Sequence, residues 1–229
     1  MDFSLFLPNM AKIWGKYWQV FLFTGLKNTL LLTIISVALG TLLGTFVAMA
    51  KMSKFKPLRA LVSVYIEVLR GTPILLQLYV FYFVLPNVFT FLKLSQFMWV
   101  SIALCVNSSA YVSEVIRSGI QAVDKGQMEA ARSLGLSKGQ AMAKIIFPQA
   151  IKNILPAIGN ECIALLKETS VAGYVTVVDL TRAANLIRTN TNDAVNPLIV
   201  LALIYLVVVV GMTRLLGVLE RRLGKSDGK

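Results

Sequence analysis

Long apolar runs separated by short basic loops constrain this chain more than any other feature. A bilayer core takes about 20 mostly apolar residues per helix, and residues 26–50, 57–86, 96–116, 148–178 and 196–219 each supply a run of that order. The second is broken by Arg70-Gly71-Thr72-Pro73, and the fourth is the least uniform. An aromatic stretch with Trp14, Tyr17, Trp18, Phe21 and Phe23 precedes the first. Trp and Tyr favour the headgroup region, so that stretch is read as lying at the interface. The predicted fold is an all-α membrane protein of about five spans. Residues 1–229 form one membrane domain, without an internal repeat or a soluble unit.

Composition excludes several classes of function. With 56% hydrophobic and 15% charged residues, the chain is too apolar for an ordinary soluble domain. It has no histidine, which removes the commonest general base and the commonest zinc ligand, so no metal site is expected. The net charge of +12 is spread between apolar runs and not gathered on a soluble module, which argues against nucleic acid as a partner. Cys105 and Cys162 both lie in apolar stretches and are read as buried thiols. Ala48-Met49-Ala50 imitates a cleavage site, but the run before it is too long for a signal peptide and sits behind 25 residues without a compact basic start.

The charges that remain set an orientation. Lys51, Lys54, Lys56 and Arg59 follow the first span. Arg117, Lys125, Arg132, Lys138, Lys144 and Lys152 follow the third, and Arg214, Arg221, Arg222, Lys225 and Lys229 the last. The positive-inside rule then puts the N-terminus outside and the C-terminus in the cytoplasm.

One polar loop on that basic side has a pattern of its own. Residues 127–134 are rich in helix formers, Gly135 can take the left-handed turn that ends a short helix, and Ser137 can cap the next. Pro148 is expected to open the helix that follows. Small Ala130 and Ala131 would let such a knob seat closely in a partner's cleft, with Glu129 free to meet a donor. Glu129-Ala130-Ala131, then Gly135, Ile145 and Pro148 at their spacing, resemble the cytoplasmic coupling loop of ABC-importer permeases; Phe147 replaces the leucine usual there. The segments Tyr65–Pro73, Asn107–Tyr111 through Glu114, Gly119-Ile120 through Gly126-Gln127, Leu155–Glu161 and Leu166–Ser170 narrow the resemblance to permeases for polar amino acids.

This resemblance covers nearly the whole chain. It implies a type I ABC-importer permease fold, a prokaryotic inner-membrane location and a coupling loop at about 119–148 that includes Gly126. It implies no cofactor in this chain, because ATP and Mg²⁺ are held by two copies of a separate ATPase subunit. Further implied partners are a second permease subunit, identical or related, an extracytoplasmic solute-binding protein, and an amino acid, possible basic ones included.

Polar residues inside the runs are candidate ligand groups, because lipid makes them costly. Glu67 and Arg70, three apart on a helix, are expected to form an ion pair that holds the break. Glu161 has no basic residue within one turn and is the leading substrate candidate; pairing across helices is the other role open to it. Asn107, Ser108 and Ser109 could bind a substrate carboxylate or join helices. Thr72 and Gln77 flank a break whose freed backbone groups must face protein or water. Lys167 and Glu168 are placed toward the outer interface. Gly40-x-x-x-Gly44 allows close helix approach, within or between subunits. Gly224-Lys225-Ser226 lacks the earlier glycine and the strand of a phosphate-binding loop. The alternative class is an ion-gradient carrier in which Glu67, Glu114 and Glu161 relay protons. Such a carrier would not need the coupling loop.

Overall fold

The computed structural model describes residues 6–224, so Lys225, Ser226 and Lys229 lie outside the described residues. Its elements are α1 (Phe6–Gln19), α2 (Lys27–Lys51), α3 (Lys56–Gly71), α4 (Ile74–Tyr79), α5 (Leu85–Val88), α6 (Gln96–Gln121), α7 (Lys125–Ser133), α8 (Lys138–Ala141), α9 (Phe147–Glu168), α10 (Leu180–Thr191) and α11 (Asn196–Gly224). Short π-helical segments join α1 to α2, α4 to α5 and α8 to α9, and a 3₁₀ segment, Thr169–Val175, follows α9. The all-helical expectation holds.

The heart of the bundle is the pair α2–α6. Thr33, Ser36, Gly40, Gly44 and Ala48 form a buried stripe of small residues at helical spacing along α2. Ser36 donates to the Ser101 carbonyl at 3.3 Å. A Cβ on Gly40 would lie 2.9 Å from Ser108 Cβ, and one on Gly44 2.9 Å from the Ser109 carbonyl. The Gly40-x-x-x-Gly44 surface is therefore used within the subunit. Such contacts matter here because lipid tails give helices little hydrophobic reason to associate, and close packing must supply the attraction.

Pairings also fix direction. Successive contacts of α2 rise along α6, so the two helices run parallel. On α9, Ile154 meets Gly119 while Leu165 joins Leu104 in the core, so α9 runs back along α6. In α11, Val200 and Ile204 pack on Leu180 and Ile187, and Leu216 sits against Gly159, which reverses direction again. The ends of α2, α6 and α11 and the starts of α3 and α9 thus share one basic end of the bundle.

Three helical runs are long and apolar enough to cross a membrane: Leu7–Lys51, Gln96–Gln121 and Asn196–Arg222. The bent pair Lys56–Gly71 and Ile74–Val88, at 106°, makes a fourth if the two helices form one broken span. α9, the remaining expected span, falls outside that composition limit because it carries Lys152, Glu161, Lys167 and Glu168, yet it runs the bundle from the basic end to the opposite one. It packs along α6 and α11 and does not need a wholly apolar surface. The aromatic stretch is continuous with the first run, and Ile13 and Phe21 pack against α10 and α11.

Pro148 stands in the first turn of α9, where it was expected to open the helix. The π-helical segment Met142–Ile146 joins that start to α8, which Ser137 caps.

Candidate functional site

At the basic end, α7 and α8 form a two-helix knob. The Asp124 side chain caps α7 by accepting from the Gly126 N–H at 2.6 Å. Gly135 has φ of 87°, which closes α7 in the left-handed conformation that costs other residues strain. Its N–H donates to the Arg132 carbonyl at 3.0 Å, and that of Leu136 to the Ala131 carbonyl at 3.2 Å. Ser137 and Gln140 then make a reciprocal capping box: the Gln140 N–H donates to Ser137 Oγ, and the Ser137 N–H to Gln140 Oε1 at 2.8 Å.

The two alanines divide their roles. Ala131 is buried, inside the knob; Ala130 and Glu129 are exposed. Leu134 at the tip is 84% exposed, a large apolar side chain on an otherwise polar surface. The expectation of a rigid knob is met in its turn and its caps, while Leu134 was not singled out beforehand. Its position just before the left-handed glycine was the available signal.

A second cluster surrounds the α3–α4 bend. Gln77 Nε2 lies 2.7 Å from the Leu69 carbonyl, 3.1 Å from that of Thr72 and 2.9 Å from Thr72 Oγ1. One amide thus serves the acceptors that the break leaves free. Gln77 Oε1 accepts from Asn107 Nδ2 at 3.0 Å, tying the bend to α6, and Thr72 Oγ1 donates to the Val68 carbonyl at 2.8 Å. Asn107 Oδ1 is buried with no partner. Ser109 Oγ is 2.6 Å from the Tyr65 hydroxyl. Ser108 is buried against Gly40, and its Oγ has no hydrogen-bond partner. Thr72, Gln77 and Asn107 are brought together; Ser108 and Ser109 are used between helices.

The expected Glu67–Arg70 ion pair is not formed among the described residues. Arg70 instead lies over the Tyr111 ring, 5.3 Å from its centroid. A planar guanidinium at the end of α3 reaches an aromatic face on α6 and gains cation–π attraction there. The pair that does form has the same spacing: Arg117 Nη2 is 2.6 Å from Glu114 Oε2, with Nε 3.1 Å from both carboxylate oxygens. Its signal, Glu-x-x-Arg, was as plain in the sequence as the other.

Glu161 is half-buried on α9 and makes no ion pair or hydrogen bond among the described residues. Arg70, on α3, and Glu168, one helical stretch further along α9, are the charges whose fields reach it. The cross-helix pairing open to Glu161 is thus not made at contact distance among the described residues. No group of three or more metal-ligating side chains occurs among the described residues.

Residues 40–225 match the family described as the inner membrane component of binding-protein-dependent transport systems. This chain belongs to that family. Its members are transporter permease subunits, which removes the gradient-driven carrier from consideration. The arginine transport system permease protein ArtQ of Bacillus subtilis (strain 168) is 40% identical over 227 residues, 99% of each chain. The probable glutamine ABC transporter permease protein GlnM of the same organism is 43% identical over 202 residues, 88% of this chain and 93% of the relative. Among solved structures, an amino acid ABC transporter with histidines superposes with a TM-score of 0.87 at 46% identity, over 95% of this chain and 98% of that one. The inward-facing methionine transporter MetNI, at 16% identity and a TM-score of 0.74, shares the fold.

Proposed function

We propose that this chain is the membrane-spanning subunit of an ATP-driven importer for polar amino acids. The observation that carries the proposal is the knob at residues 125–141, self-braced and exposed, at the basic end of the bundle. A soluble motor needs such a handle, and the relatives named for arginine and glutamine transport supply the substrate class. The basic end faces the cytoplasm by the positive-inside rule. There two ATPase subunits, which hold ATP and Mg²⁺, grip the knobs of two permease subunits through Glu129, Ala130 and Leu134.

Closure of the ATPases on ATP moves the knobs together, and α9, continuous with α8, carries the displacement into the bundle. The path then opens outward to a loaded solute-binding protein, and hydrolysis resets it inward. Each chain holds the amino acid near Glu161, whose carboxylate receives an ammonium group, with the Asn107–Gln77–Thr72 cluster bracing the bend beside the path. This chain breaks no covalent bond.

The test is uptake of radiolabelled amino acids into proteoliposomes holding the chain with its ATPase and binding protein. ATP-dependent uptake of polar amino acids that stops when either partner is omitted is the expected result. Uptake by the chain alone would overturn the reading.

A further inference from the structure

A polar cavity of about 480 Å³ lies at the basic end, between the end of α2, the face of α3 and the last turns of α6. Its wall holds four cations, Lys51, Arg59, Arg70 and Arg117, and two carboxylates, Glu67 and Glu114. These charges are not equivalent. Glu114 and Arg117 are locked together by three short contacts, so they add little net field. Arg70 rests on the uncharged Tyr111 ring, and Lys51 donates to the Ser63 hydroxyl; neither partner carries an opposing charge. Arg59 and Glu67 make no ion pair among the described residues.

Three cations and one carboxylate therefore face a single space with no ion pair among them in the described residues. Arg70 and Glu67 lie in the bent span, where lipid cannot solvate charge, and the cavity opens them to the basic end beside Lys51 and Arg59. The volume suits a small ligand. Both signs are present, which fits a zwitterion: a carboxylate toward Lys51, Arg59 and Arg70, an ammonium toward Glu67. A phosphate alone would gain from the cations but meet the carboxylates in the same wall. The excess is positive, so a further cation on the ligand is repelled and a further carboxylate attracted.

We propose that this cavity is a second amino acid station, on the cytoplasmic side of Glu161, that takes its ligand by the carboxylate and disfavours a cationic side chain. It rests on the importer reading above and adds a site with its own charge preference.

The test uses the assembled permease, ATPase and binding protein in proteoliposomes, with Cys105→Ala and Cys162→Ala as background. Met52→Cys, on the cavity wall, is alkylated by a maleimide added from the ATPase side, with glutamate, glutamine or arginine present. At a ligand concentration ten times its Kd, alkylation slows about tenfold by mass action. The expected order of protection is glutamate, then glutamine, with arginine weakest. Lys51→Gln with Arg59→Gln should erase that order, and Glu161→Gln should keep it. Gln121→Cys, on the opposite wall, is the second probe should the first variant fail to assemble. Equal protection by all three, strongest protection by arginine, or no protection in an assembly that still takes up amino acids would each overturn the station and leave the importer standing. Protection that follows the lipid composition of the vesicle and ignores amino acids would assign the cavity to headgroups and also overturn it. Failure of all amino acid uptake would sink the importer reading itself, and the station with it.

Discussion

The knob and the helix break use the same residue types to opposite ends. In the knob, Gly135, Ser137 and Gln140 close a turn through partners at most five residues away. At the break, Gln77 reaches eight residues back to Leu69 and is met by Asn107 from another helix, while Tyr65 meets Ser109 across the same gap. The knob is held by its own sequence and leaves its outer face free. The break is held by its neighbours, and most of its polar groups, Asn107 Oδ1 excepted, are spent on the fold. A polar residue in a membrane protein is therefore not a ligand group until the backbone around it has been satisfied.

The comparison breaks most sharply if the knob's outer face is altered. Glu129→Arg reverses a charge that makes no ion pair among the described residues, so folding should be unaffected and ATP-driven uptake should fall by at least about tenfold, the scale of a lost charge-assisted contact of roughly 1.5–3 kcal/mol. Normal uptake in proteoliposomes would show that this face docks nothing. Gln77→Leu should do the reverse. It leaves the Leu69 carbonyl and Asn107 without their partner, at a cost of about 1–3 kcal/mol in stability, read as a lower midpoint of thermal unfolding in detergent. An unchanged midpoint would mean that the bend does not depend on this cluster.

Gly40→Val sharpens the packing side. A Cβ already meets Ser108 at 2.9 Å, and the larger side chain should cost about 1–3 kcal/mol by overpacking. A comparable unfolding midpoint would show that α2 and α6 can separate freely. Glu161→Gln should weaken uptake of a cationic amino acid more than that of a neutral one. Equal losses would argue against recognition of side-chain charge at that carboxylate.

What was legible divides along the same line. The left-handed turn at Gly135 and the Ser137 cap follow from local rules, and both stand in the structure. Pro148 in the first turn of α9 follows from the same rules, whereas no local pattern announces the π-helical segment Met142–Ile146 that joins it to α8. Two of the three Glu-x-x-Arg steps make the point most clearly. Glu114–Arg117 pairs and Glu67–Arg70 does not, since Tyr111 on α6 offers Arg70 another partner. Spacing fixes which residues could meet, and only the neighbouring helix decides which do. Asn107, Ser108 and Ser109 were left between ligand and glue for that reason, and α6 buries all three.

The smallest expected effect lies far from both regions. Asp193, in the turn before α11, accepts from the Val195 and Asn196 N–H groups at 3.0 Å each and from Asn196 Nδ2 at 2.7 Å. Desolvation pushes its pKa up, but these bonds outweigh it and hold the carboxyl below its ordinary value. A depressed folded pKa stabilises above the unfolded value of about 3.9 and is lost as pH falls through the folded one. Unfolding midpoints from pH 6 down to pH 2 should fall less steeply for Asp193→Asn than for the parent chain, and parallel curves would remove this contribution.

The central claim is that the knob transmits the work of a separate ATPase. Gly135→Ala tests it most directly, because nothing lies within 4 Å of the added Cβ and only the left-handed backbone is disturbed. ATP hydrolysis and amino acid uptake should be measured in the same proteoliposomes. The account predicts that hydrolysis persists while the amount of amino acid moved per ATP falls severalfold. An unchanged ratio, with the variant fully assembled, would contradict it.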